Sequence, residues 1–225
     1  MTSPVGQDSV QWPLLPKALA MTPTPLLVVV HGHRGGLVPE VLQQLLDSVA
    51  LHRGAPVWIQ ALTADALHLP PQAALWLVPL LLTPGSHVRF DLPALRQRLK
   101  DEGHGVKVMP FLGSWPAWIR HLRTLAQDLD AVAVVHHPLR PGLADRYLSA
   151  LSLDIDRPLI SADRLTGDFH SSQSGTTNHH GPFLALALAP NRMTAQLGAT
   201  YDGTAALLDH PASRQHLFNL LTRLP

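Results

Sequence analysis

Pro25-Leu-Leu-Val-Val-Val30, followed at once by His31-Gly-His-Arg-Gly-Gly36, is the stretch that decides the fold class. The run is apolar on both faces of an extended chain. That fits a strand buried in a parallel sheet and covered by helices. The glycine-rich turn that stops it leaves a histidine at the strand's carboxyl end. Apolar residues then recur at helical spacing over residues 38–51, at Val41, Leu42, Leu45, Leu46, Val49 and Ala50. Residues 55–59 and 74–82 predict a second and a third strand, the latter ending in Thr83-Pro-Gly-Ser-His87. Asp91 opens another helix as its N-cap, with Pro93 in the first turn. Residues 106–110 predict a fourth strand and residues 115–129 a further helix. Strands alternating with helices imply βαβ units and parallel sheet, an α/β fold.

The pattern then restarts. Ala131-Val-Ala-Val-Val135 reads as a strand followed by His136 and His137. A shift of 106 residues places His31 on His137, Arg34 on Arg140, Gly36 on Gly142, Leu37 on Leu143, Leu42 on Leu148 and Leu45 on Leu151. The same shift places Leu77-Val-Pro-Leu-Leu-Leu-Thr-Pro84 on Phe183-Leu-Ala-Leu-Ala-Leu-Ala-Pro190. Pro56 pairs with Pro158, so the register drifts between these blocks. The expectation is a duplicated unit: two similar lobes, each a parallel sheet flanked by helices, facing each other across a cleft. Residues 1–24 read as a poorly ordered leader, 25–129 as the lobe carrying the histidine pair, and 130–225 as a divergent repeat. A polar stretch at 166–181, with His170, His179 and His180, reads as a loop that either captures metal or is plain loop.

Composition narrows the chemistry. The chain has 225 residues, no cysteine and 14 histidines. Disulfides and thiolate metal sites are therefore excluded, and a transition-metal site must use imidazole and carboxylate ligands, which suit Co, Ni, Fe and Zn ions. A formal charge of +1 with both signs scattered gives no electrostatic footprint for nucleic acid. The longest apolar run is about half of what a bilayer span needs, so no membrane partner is expected. The default placement is cytoplasmic, as a monomer or a homodimer. Ligands of open parallel sheets sit beyond the carboxyl ends of the strands. His31 and His87 both stand there, each beside a glycine, Gly32 or Gly85, that eases close approach.

Three segments carry a resemblance to a known family. Leu27-Val-Val-Val-His-Gly resembles a strand ending in His-Gly-Ser. Val78-Pro-Leu-Leu-Leu-Thr-Pro-Gly-Ser-His-Val-Arg-Phe-Asp-Leu-Pro93 is similar to the signature Pro-x-Leu-x-x-Gly-x-His-x-x-x-Asp-x-Pro, and Val108-Met-Pro-Phe-Leu-Gly113 to the stretch that follows. These are motifs of the CbiX-type and SirB-type sirohydrochlorin chelatases, the class II chelatases, and the resemblance runs from about Leu26 to Leu122. It implies that His31 and His87 bind an incoming divalent ion (Co²⁺, Fe²⁺ or Ni²⁺, as substrate), with no organic cofactor, and that a tetrapyrrole occupies the cleft. Arg34, Gly85, Ser86, Arg89 and His137 are then candidates to face that macrocycle. Arg34 and Arg89 would pair with its carboxylates or else stand as solvated charges. Asp91 would orient His87, or serve only as helix cap. Trp115 and Trp118 would wall the cleft or pack in the core.

The sequence departs from the family pattern in three places. His33 replaces the serine of His-Gly-Ser. Trp58-Ile59-Gln60 stands where the family has Phe-Leu-Glu, so an amide replaces a site carboxylate, with Asp65 as a nearby acid. Met193 stands where the repeat would carry the second histidine. Two functions follow: an active chelatase in which His33 or another acid covers for Gln60, or a non-catalytic metal or tetrapyrrole carrier on a chelatase fold.

Overall fold

The computed structural model describes residues 23–140, 142–167, 181–201 and 204–225. The expected leader and the loop at 166–181 lie almost wholly outside the described residues. β1 (Leu26–Val30) is buried along its whole length, because it lies between β2 (Val57–Ala61) and β3 (Ala74–Pro79) in a parallel sheet of order β2-β1-β3-β4, with β4 (Gly105–Val108) at the edge. The second sheet has order β6-β5-β7, from β5 (Ala133–His136), β6 (Leu159–Ser161) and β7 (Phe183–Ala185), and is also parallel. Both expected sheets are present, with strand ends displaced from the sequence reading by a few residues.

The duplication is written in the ladders. Leu27 pairs Leu77, Val28 pairs Val78 and Val29 pairs Pro79; Ala133 pairs Phe183, Val134 pairs Leu184 and Val135 pairs Ala185. Every one of these pairs is reproduced at the shift of 106. So is the closing bond: Leu80 N–H donates to Val29 O at 2.8 Å, and Leu186 N–H to Val135 O at 2.7 Å. The flanking ladder slips. Leu26 N–H donates to Pro56 O, but Val134 N–H donates to Pro158 O, so β6 sits two residues off the position that Pro56 and Pro158 would imply.

Helices cover both sheets. α1 (Glu40–Arg53) buries Leu42, Leu45, Leu46 and Val49, one stripe at helical spacing, and ends at Gly54 in the left-handed region. α2 (Leu92–Asp101) covers the outer face through Leu92, Leu95 and Leu99. α3 (Pro116–Asp128) and α4 (Leu143–Ile155) pack against each other between the sheets. α5 (Ala162–Gly167) and α6 (Arg192–Gly198) complete the second half. α7 (Pro211–Thr222) then crosses back to pack on α1 and α3. One apolar core therefore runs through both halves, from Leu26 and Val28 through Trp118 and Leu122 to Val134, Leu184 and Leu217. Both tryptophans in question belong to it: Trp118 is fully buried, and Trp115 is buried with its Nε1–H donating to Pro110 O. No helix among the described residues is long and apolar enough to cross a membrane.

Two features lock the halves together. The Tyr147 hydroxyl of α4 lies 2.8 Å from the carbonyl oxygens of both Leu82 and Gly113, to one of which it donates. A side chain at Gly113 would overlap Leu82 O at 1.9 Å, so this approach requires glycine. At the chain end the buried Arg53 guanidinium donates to the carbonyls of Thr24, Leu221, Leu224 and Pro225, closing off α7.

Histidines reinforce the seam between α3 and α7. The His121 and His216 rings stack at 4.6 Å, His121 Nε2 bonds the Ser213 hydroxyl, and His216 Nε2–H donates to Ala117 O. Burial, then the charge of His216, lowers His121 from 6.5 to about 4, with His210 adding to the effect and Asp128 opposing it. The depressed base favours the folded state above pH 6.5. As pH falls toward 4 the unfolded chain takes up a proton that the folded seam refuses, so stability is lost across that window. The full shift corresponds to at most ~3 kcal/mol, and at this half-buried position water screens it to roughly 1–2 kcal/mol. Urea unfolding should show that loss between pH 7 and pH 4.5, and His121→Phe, which keeps the stack, should remove it; an unchanged pH dependence in the variant would contradict the assignment.

Candidate active site

Parallel strands end on the same side, and β1 and β3 are adjacent. His31, the first residue after β1, and His87, in the turn after β3, are therefore neighbours. Their rings meet edge to face with centroids 4.6 Å apart. His87 opens a single π-helical turn, residues 87–91, that runs directly into α2. Leu92 N–H reaches back to His87 O across that turn.

Both imidazoles are held by Nδ1. The His31 ring lies 2.7 Å by Nδ1 from Gly32 O, and a carbonyl can only accept, so the proton is on Nδ1. His87 Nδ1–H donates to Asp91 Oδ2 at 2.5 Å. Each ring thus keeps its Nε2 lone pair free, the arrangement of a histidine prepared to ligate a metal. Asp91 is the orienting carboxylate and not the helix cap: its backbone is already helical and its side chain caps no backbone group. The π turn supplies the acceptors that the first N–H groups of α2 would otherwise lack, so there is nothing for Asp91 to cap.

The loop carrying His31 is clamped to the end of β2. Thr63 Oγ1–H donates to His33 O, and Gly32, at φ 76°, has no room for a side chain because its Cβ would lie 2.7 Å from Ala61 Cβ and Thr63 Oγ1. His33 and Arg34 sit exposed on that loop. Ser86 is exposed before the π turn, and Arg89 lies over the ring of its neighbour Phe90 at 5.3 Å.

Gln60 has a different role from the one expected. It is buried, its Nε2 donates to Ala61 O and Asp65 O, and its Oε1 accepts from Leu67 N–H. Both ends of its amide bond the 61–67 loop, and neither His31 nor His87 is among these partners. Asp65 enters this arrangement through its backbone carbonyl.

The second half contributes His137. Its loop approaches the first: Leu139 Cδ2 lies 3.6 Å from where a Cβ on Gly85 would stand. Burial, and then the charges of His31 and His136, push His137 below its ordinary value. Its Nε2 lies 3.3 Å from the Asn191 amide. His136, which the repeat places on Val30, bonds the following carbonyl in the manner of His31, Nδ1–H to His137 O at 2.7 Å, and burial lowers its pKa. Met193 packs in the outer core of the second half, so no second imidazole pair forms there. Asn191 and His136 were not singled out by the sequence reading; the shift of 106 locates both, Asn191 on Gly85 and His136 on Val30. Among the described residues no three His, Asp or Glu side chains converge into a closed metal site. An open pair of imidazoles can pass an ion on, where a closed four-ligand site would keep it.

Asp91→Ala should weaken Co²⁺ binding about 10-fold or more by releasing His87, with unchanged thermal unfolding. Gln60→Ala should do the opposite, destabilising the fold by about 1–3 kcal/mol while sparing Co²⁺ affinity. Calorimetric titration with scanning calorimetry of both variants separates the two roles.

No protein-family model matches the chain, and no curated protein matches it. Among solved structures it is similar to the sirohydrochlorin chelatase SirB from Bacillus subtilis subspecies spizizenii, determined in complex with cobalt. The two are 17% identical with a TM-score of 0.52, and the match covers 88% of this chain and 93% of that one. The chain has the chelatase-like α/β fold of two parallel sheets flanked by helices, along nearly its full length.

Proposed function

We propose that the protein inserts a divalent metal ion into a tetrapyrrole of the sirohydrochlorin type, with His31 and His87 as the pair that receives the ion. The observation that carries this is the shared tautomer: both Nδ1–H groups are tied down, to Gly32 O and to Asp91, which leaves Nε2 as the ligating nitrogen on each of two rings 4.6 Å apart. Insertion needs an ion held loosely enough to leave and two pyrrole N–H groups deprotonated. Two imidazoles in an open site meet the first need. The carboxylate of Asp91 fixes the ring of His87, so the site is not made of imidazoles and amides alone. The fold shared with a cobalt-bound sirohydrochlorin chelatase supports the same reading. Co²⁺, Fe²⁺ and Ni²⁺ all suit imidazole, and affinity order does not choose among them. Arg34 and Arg89, on the loops around the pair, would meet the carboxylates of the macrocycle.

The test is an anaerobic absorbance assay with sirohydrochlorin and each of the three ions. Insertion above the spontaneous rate, abolished by His31→Ala and by His87→Ala, is expected. Binding of ion or macrocycle without acceleration would replace the enzyme with a carrier.

A further inference from the structure

We infer that the second half supplies the base of this site: His137, held by Asn191 with its Nε2 lone pair exposed to a donor, takes the proton that a pyrrole N–H loses as the metal enters. The inference rests on the metal-insertion reading.

The duplicated ladders make the comparison between halves residue by residue. At the end of β1 an imidazole faces a second imidazole, His87; at the end of β5 the equivalent His137 faces an amide, Asn191. The direction of that amide is fixed independently. Asn191 is the N-cap of α6, and its Oδ1 accepts from Thr194 N–H at 3.0 Å, so its Nδ2–H is the group turned toward His137. An N–H aimed at Nε2 requires a lone pair there, which places the proton of His137 on Nδ1. An amide nitrogen does not ligate a metal. The first half therefore holds the ion, and the second presents a single nitrogen already arranged to accept an N–H.

The contact between Leu139 and the Gly85 turn keeps the His137 loop beside the loop that carries His87. In the step itself a pyrrole N–H replaces the Asn191 N–H at Nε2. The pyrrole N–H bond breaks, its electron pair stays on the pyrrole nitrogen and forms the bond to the metal, and the proton ends on Nε2. His137 is exposed and returns that proton to water before the second pyrrole proton is taken. One divalent ion enters and two protons leave.

His137→Asn, an exposed change, should lower kcat for insertion about 10²-fold while leaving Co²⁺ affinity as in the wild type. Asn191→Ser keeps a helix cap but withdraws the amide, and should lower kcat without changing KM. In ¹⁵N NMR of the imidazoles the wild-type His137 should carry its proton on Nδ1, a preference that Asn191→Ser relaxes. A His137→Asn variant with unchanged kcat, or with weakened Co²⁺ binding, overturns the inference, as does a proton found on Nε2. If the wild-type protein itself gives no insertion, the metal-insertion reading falls and this role with it; a wild type that inserts beside an equally fast variant removes the base alone.

Discussion

The backbone bond from Leu80 N–H to Val29 O fixes where β1 stops relative to β3. In a parallel sheet, side chains that follow adjacent strands emerge at one edge, and a ladder slipped by one residue would turn each histidine to the other face. With this register His31 and His87 meet; without it they are two loop residues 56 positions apart in the chain. The strand is able to hold that register because it is buried on both faces, between α1 and α3 on one side and α2 on the other. Packing in the core thus determines the separation of two polar rings at its rim.

The same register recurs at β5 and β7, yet the chemistry at the rim has changed. Duplication preserves what the ladder needs, namely apolar residues at strand positions. It leaves the residues after the strands free to diverge, since loops at the carboxyl ends bear little of the packing. In the second half Met193 lies in the core, Asn191 is a helix cap, and His137 stands at the rim. The joined core and the return of α7 onto α1 hold the two rims together, so residues contributed by different halves can act on one ligand.

Much of this was legible in the sequence because it depended on local pattern. The all-apolar run at 26–30, the helical stripe of α1, the offset of 106 and the histidines at strand ends all survive as expected. What failed to show depended on hydrogen bonds between backbone and side chain. Asp91 ahead of Leu-Pro has the composition of an N-cap, and only the π turn, which moves the start of the helical backbone upstream to His87, frees it to bind the imidazole. Gln60 stands where the resemblance expects a site carboxylate, but nothing in its neighbours announces that both ends of its amide bond the 61–67 loop. The stacked His121 and His216 come from helices far apart in the chain, and their meeting is a consequence of α7 crossing back.

The resemblance sets a carboxylate at the position of Gln60, and that difference bears on how a two-imidazole site would release an ion. A third anionic ligand would deepen the well in which the metal sits and so slow its departure. With the Gln60 amide bonded to the loop, the one carboxylate in hydrogen-bond contact with the pair among the described residues is Asp91, and it touches the ring of His87 by Nδ1. On the proposed reading, charge would reach a bound ion at one remove, through the imidazole and not as a ligand that closes the coordination sphere. An open two-imidazole site would bind an ion weakly and exchange it quickly, which would suit the proposed transfer to four pyrrole nitrogens that outcompete two imidazoles once their protons have gone.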